Sequence, residues 1–144
     1  MSGNRLGYVV GPAESIQAVR KVSTHAFYSA TTAAQIAAER VFSERGRAWV
    51  AQARERYQEE GRWAAERLGV RAPEGSTFLF LDVTDALDAR GLNGLLEDCV
   101  GDGLLVAPGP SFGPFPSHVR LCYTATEPNC TRRGVEILAR RLGR

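Results

Sequence analysis

The sequence predicts an α+β fold, read from the order of its elements from about residue 70 onward. Two runs, "STFLFLDV" and "HVRLCYTA", have the density of strand formers expected of sheet. Three others, "TAAQIAAERVF", "RAWVAQARERYQEEGRWAAERLG" and "CTRRGVEILARRLG", repeat their apolar residues at helical spacing. From about residue 70 onward strands and helices follow one another with short Gly/Pro turns between them.

The chain opens on "MSGNRLGYVVGP", a glycine-flanked Arg5 leading into a β-like run that stops at Gly-Pro. "GPAESIQAVRKV" predicts a helix over about 12–22, with Pro12 at its first position and Ile16, Val19 and Val22 at helical spacing. "STHAFYSATT" has no clear period and reads as a loop. Thr32 and Gln35 have the spacing of a capping box, which starts a helix over about 33–44. Gly46 breaks that helix, and a long one resumes with Trp49, Ala53, Tyr57, Ala64 and Leu68 along one face. Gly61 weakens it by about 1 kcal/mol relative to Ala, and Gly69 caps it. Its other faces are charged, so it is expected to run between two bodies or along a rim.

After the turn "APEG", "STFLFLDV" places Phe78 and Phe80 on one side and Leu79 and Leu81 on the other. Both faces being apolar, this strand is expected at the centre of a sheet. "GLNGLLEDCV" is a short helix, "GLLVAPG" a short strand, "PSFGPFPS" a loop and "HVRLCYTA" a strand. The last helix turns Val135, Leu138 and Leu142 inward, leaving Arg132-Arg133 and Arg140-Arg141 on a solvated face.

At 144 residues the chain fits a single domain or a piece of something larger. A hydrophobic share of 44% against 24% charged is globular composition. With a net charge of +2 and scattered basic residues there is neither a nucleic-acid stripe nor a polybasic membrane anchor. No apolar run is long enough to span a bilayer. Cys99, Cys122 and Cys130 lack metal-type spacing and no signal sequence precedes them, so reduced thiols in a cytoplasmic protein are expected.

Few residues invite chemistry. In "HVRLCYT" alternation puts Val119, Leu121 and Tyr123 on one face and His118, Arg120 and Cys122 on the other. Arg120 is then either an arginine on a wet sheet face or a bidentate carboxylate clamp shielded by the neighbouring Pro/aromatic loop. Arg5 is either a surface residue or a guanidinium aimed into a phosphate site. His25 and His118 have no ligand partner at metal spacing. Ser111 sits in "GPSFG", the letters of a nucleophile elbow, but a Pro-rich loop follows where a helix is needed and no acid-then-His order comes after it, so a turn is the better reading. Glu59-Glu60, Asp82, Asp85 and Asp88 read as solvated charges.

Together, four stretches in order resemble the C-terminal part of the class I/II pyridoxal-phosphate aminotransferases, the aspartate aminotransferase-like fold. They are "SGNRLGYVVGP", "THAFYSATTAAQIAAERVF", "GVRAPEGSTFLFLDV" and "GLLVAPGPSFGPFPSHVRLCYT", and they span essentially the whole chain. The resemblance implies residues 1–30 as the end of a large cofactor-binding domain, 31–69 as connecting helices and 70–144 as a small C-terminal domain whose short sheet contains antiparallel strands packed with helices. It implies pyridoxal 5'-phosphate as cofactor, an amino acid and a 2-oxo acid as substrates, and a homodimer or association with a missing large domain. By position, Arg5 matches the arginine that holds the cofactor phosphate and Arg120 the one that binds the substrate α-carboxylate, with Phe112 walling the site. The loop matching His25, Tyr28 and Ser29 comes near a neighbouring subunit's active site in this family, so His25 and Tyr28 are further substrate-binding candidates.

One departure stands out. The lysine that forms the Schiff base with the cofactor lies in this family shortly ahead of the phosphate-binding arginine, which here falls before Met1, so no catalytic residue is assigned. Lys21, the only lysine, matches an ordinary surface position. The expectation is an aminotransferase portion inactive alone; the alternative is a noncatalytic interaction or dimerisation module that docks on a separate large domain.

Overall fold

The computed structural model describes residues 2–144, which divide into two compact units, 2–52 and 53–144. The first unit is helical. A 3-10 turn at Ser2–Asn4 leads into an extended segment, followed by α1 (Ala13–Ala26), α2 (Thr32–Glu39), a 3-10 turn at Arg40–Phe42 and the start of α3 (Glu44–Arg67). The second unit contains the rest of α3, then β1 (Phe78–Asp82), α4 (Gly91–Gly101), β2 (Ala107–Pro108), β3 (His118–Cys122) and α5 (Pro128–Arg141).

In the first unit the chain departs from expectation where local signals met missing partners. The run after Arg5 is extended but pairs with no strand among the described residues, because a strand needs a neighbour's backbone groups to become sheet. Val9 and Val10 are correspondingly exposed, at 70% and 85%, whereas Ile16 is half-buried. Helix α1 continues to Ala26, so His25 lies in its last turn and not on a loop. The capping box does not form: Thr31 precedes the helix, Thr32 is its first residue, and Gln35 Nε2 donates to the Ala30 carbonyl. The break predicted at Gly46 falls earlier, at Ser43, whose hydroxyl accepts from the Gly46 N–H. Gly46 is needed instead for close approach, since a Cβ there would collide with the Arg40 and Val41 carbonyl oxygens.

The second unit is a three-stranded antiparallel sheet, in the order β1-β3-β2, with helices packed on one face. The α+β class is therefore correct. β1 is an edge strand, however, and β3 takes the centre. Its two faces also differ: Leu79 and Leu81 are buried while Phe78 and Phe80 stay partly exposed. Alternation along β3 holds as predicted, with Val119, Leu121 and Tyr123 buried against Ala64, Leu68, Leu95, Cys99, Val135 and Leu138 in one apolar core. That burial is the main stabilising term of the unit.

Helix α3 ends in a Schellman motif: Gly69, at φ 63°, donates to the Glu66 carbonyl and Val70 to that of Ala65, which only a residue at ease in the left-handed region permits. Four of the charges read as solvated, Glu60, Asp88, Arg132 and Arg141, turn out to pair. Glu60 is buried on α3 and accepts two hydrogen bonds from Arg132 at 2.8 and 3.1 Å, while Arg67 forks onto Glu136 at 2.8 Å. Arg141 donates to Asp102, and Arg90 joins Asp88 to Asp98. Sequence spacing cannot show the Glu60–Arg132, Arg67–Glu136 and Asp102–Arg141 pairs, because their partners lie far apart along the chain.

Candidate functional site

The open face of the sheet carries the chemistry. Strand alternation puts His118, Arg120 and Cys122 there, and the antiparallel register sets Phe80 opposite Arg120 and Phe78 opposite Cys122. Diagonal neighbours on such a face lie within reach of long side chains. Arg120 uses this reach, placing its guanidinium carbon 4.2 Å from the centre of the Phe78 ring. A second ring, Phe112, lies 4.1 Å from the same carbon.

Phe112 arrives on the 3-10 turn Gly109–Phe112, the loop that the sequence reads as a turn around Ser111. Gly109 lets that turn lie close to the start of β3, since a Cβ would meet the His118 carbonyl oxygen at 2.7 Å. Phe80 contacts Phe112 edge-on at 6.1 Å and Phe115 at 5.1 Å, the arrangement aromatic quadrupoles favour. His118 packs on Phe80 at 5.0 Å with its Nδ1 buried and without a hydrogen-bond partner among the described residues. At the end of β1, the Asp82 carboxyl is held below its usual range by hydrogen bonds from the Thr84 hydroxyl and N–H, helped by nearby His118.

Among the described residues no carboxylate pairs with Arg120 and no acceptor takes its N–H groups. The result is a half-buried guanidinium with aromatic flanks and unused in-plane donors. Those are the properties that suit a planar carboxylate.

The remaining predicted residues lie in the first unit. Arg5 is exposed and adopts φ 48°, and Tyr28, exposed as well, adopts φ 64°; both are uncommon for residues with a Cβ. His25 is exposed near the end of α1. Neighbours of Arg5 (Asn4, Gly7 and Tyr8) and of Tyr28 (Ser29 and Ala30) line one groove of about 790 Å³. The structure thus joins Arg120 with Phe112, and the Arg5 segment with the Tyr28 loop. Sequence reading missed Phe78, Phe80 and Phe115, although their signal was present: the Phe side of β1 and the Arg side of β3 become one face once the strands pair antiparallel. No group of three or more His, Cys, Asp or Glu among the described residues is arranged to hold a metal, and no described helix is long and apolar enough to cross a membrane.

Residues 1–142 match the sequence profile of the family "Aminotransferase class I and II". This chain belongs to that family. Its similarity to an aspartate/prephenate aminotransferase of Thermus thermophilus is 37% identity over 153 aligned positions, covering all of this chain and 38% of the relative. A solved Thermus thermophilus aspartate aminotransferase, a tetra mutant complexed with tryptophan, superposes with a TM-score of 0.79 at 34% identity, covering 98% of this chain and 38% of that one. An aromatic aminotransferase from Pyrococcus horikoshii gives the same TM-score, 0.79, at 26% identity. The chain therefore spans well under half the length of these aminotransferases. Membership implies pyridoxal 5'-phosphate as the cofactor. Arg5 carries a guanidinium, a group able to bind phosphate, on an exposed segment whose neighbours Asn4, Gly7 and Tyr8 line the groove.

Proposed function

We propose that this chain is the C-terminal portion of a pyridoxal-phosphate aminotransferase that moves an amino group between an amino acid and a 2-oxo acid. Residues 1–30 complete a large cofactor-binding domain, 31–69 connect, and 70–144 form the small domain. The observation that carries the reading is Arg120, flanked by two phenylalanine rings with its in-plane donors unused among the described residues. It binds the substrate α-carboxylate and fixes its orientation, and Phe112 keeps water from one flank. Arg5 holds the cofactor phosphate. His25 and Tyr28 reach a neighbouring subunit's site in a cytoplasmic homodimer. The bound cofactor supplies the electron sink for amino transfer.

Lys21, the one lysine, stands exposed on α1. The amine that holds the cofactor comes from outside these residues, and the chain alone is inactive. A second reading, a noncatalytic module docking on a separate large domain, draws on the exposed Tyr8, Val9 and Val10.

A chimaera tests the first reading: this chain replaces the matching C-terminal segment of the Thermus thermophilus aspartate/prephenate aminotransferase. Turnover that falls at least a hundredfold in Arg120→Gln, and nearly as far in Arg120→Lys, is the expected result. A folded, cofactor-loaded chimaera whose turnover ignores Arg120→Gln would refute it. A cofactor absorbance band formed by the isolated chain and lost in Arg5→Ala would refute the predicted inactivity.

A further inference from the structure

Arg120 is flanked by rings from two different elements, and one of them has no evident structural reason to be aromatic. Phe112 sits on the turn and Phe78 on the edge strand β1. Phe78 adds little to the core, which is built from the opposite side of its strand by Leu79 and Leu81. The residue remains 37% exposed. Its direct partner across the ladder is Cys122, yet the ring reaches diagonally to the Arg120 guanidinium, 4.2 Å from its central carbon. The other ring, Phe112, packs perpendicular to Phe80 at 6.1 Å.

We propose that Phe78 is a positioning residue for carboxylate recognition: with Phe112 it holds the Arg120 guanidinium in one plane, so that the paired N–H donors face the ligand before it arrives. The proposal rests on the reading of Arg120 as the carboxylate-binding group. A cation against aromatic faces is attracted by the ring quadrupoles, most strongly where water is excluded. Rings that flank the planar cation leave its hydrogen-bonding edge open. A long arginine chain otherwise samples many rotamers and must be ordered when its ligand binds, which weakens binding. Leucine at position 78 would keep apolar bulk and lose the quadrupole; tyrosine would keep the ring face.

The test uses the full chain labelled with nitrogen-15 and the Arg120 Nε–Hε resonance as its reporter. In the unliganded wild type that resonance is expected to be displaced by the ring currents. It is then expected to shift saturably when 2-oxoglutarate is titrated in, and Arg120→Gln, which lacks that resonance and is followed like the wild type by the backbone amides of β3, is expected to abolish saturable binding. Phe78→Leu is expected to move the unliganded resonance toward its random-coil position and to weaken binding about threefold to thirtyfold. Phe78→Tyr is expected to restore both. A residue serving stability alone would change the denaturation midpoint and leave the Arg120 resonance and the affinity untouched.

If 2-oxoglutarate binds the wild type through Arg120 and binds Phe78→Leu equally well, the positioning role is wrong while the carboxylate reading stands. If wild type and Arg120→Gln respond alike, the carboxylate reading fails and the positioning role goes with it. Should Phe78→Leu not fold, Phe112→Leu, on the turn, tests the same holding of the guanidinium with the same two readouts.

Discussion

Gly61 sits inside α3, where helix propensity alone says that alanine is better by about 1 kcal/mol. The structure predicts the opposite sign for Gly61→Ala. A Cβ at this position would lie 3.0 Å from Pro73 Cγ and 3.0 Å from Tyr123 Cζ. Comfortable carbon contacts lie at about 3.5–4.0 Å, so the neighbours must retreat by a few tenths of an ångström. Tyr123 is poorly placed to do so: its ring is buried, its hydroxyl donates to the Ser76 carbonyl at 2.8 Å, and its N–H donates to that of Thr77 at 3.1 Å. Overpacking of this kind costs about 1–3 kcal/mol. Subtracting the propensity gain leaves a net destabilisation of about 0–2 kcal/mol, centred near 1 kcal/mol. Urea unfolding followed by Trp63 fluorescence in a Trp49→Phe background reads the second unit and measures it. Gly134→Ala is the control, because its new Cβ would meet only the Leu104 Cδ1 methyl, the mobile end of a side chain, at 3.2 Å, and it should be neutral or stabilising. A Gly61→Ala protein stabilised by about 1 kcal/mol would show that Tyr123 yields freely and that the argument is wrong.

Three further outcomes are expected. Leu138→Ala, which truncates a fully buried side chain of the core, should lower stability by about 2–5 kcal/mol in the same unfolding assay; a loss below 1 kcal/mol would mean that the core collapses around the cavity. Arg90 holds the Asp88 and Asp98 carboxyls below their usual range, and Arg141 does the same for Asp102. Depressed carboxyl values stabilise the fold fully above the ordinary aspartate value of about 4, and that contribution disappears as pH falls through the lower folded values. The urea midpoint should thus fall in acid, with a shallower fall in Asp98→Asn; equal slopes for the two proteins would contradict the assignment. Burial pushes the Cys99 thiol up whereas Cys130 is exposed, so a thiol reagent should modify Cys130 at once and Cys99 only on unfolding. Equal rates at both would refute the packing described for α4.

Much of the second unit is legible in the sequence. The alternation in "HVRLCYTA" and the apolar stripe of α5 each identify a buried face by period alone, and the structure buries Val119, Leu121, Val135 and Leu138 as read. Of the site, Arg120 and Phe112 were named from sequence. Phe78 and Phe80 were misread because apolar residues on both sides of "FLFLD" imply a strand covered on both faces, whereas an edge strand can spend its second face on a site. Glu60 was misread for a related reason. Its partner Arg132 lies on another helix, and no periodicity within one element reports a pair between two.

The sequence by itself determined the class, the family, the positions of the helices in the second unit and the face of β3 that carries Arg120. These follow from local period and motif, which are properties of neighbouring residues. Only the tertiary structure decided that β3 is central, that two phenylalanines flank the Arg120 guanidinium, and that Gly61 is there for Tyr123. Each of these depends on which elements become neighbours after the chain has folded, and sequence spacing carries no distance between residues that only the fold brings together.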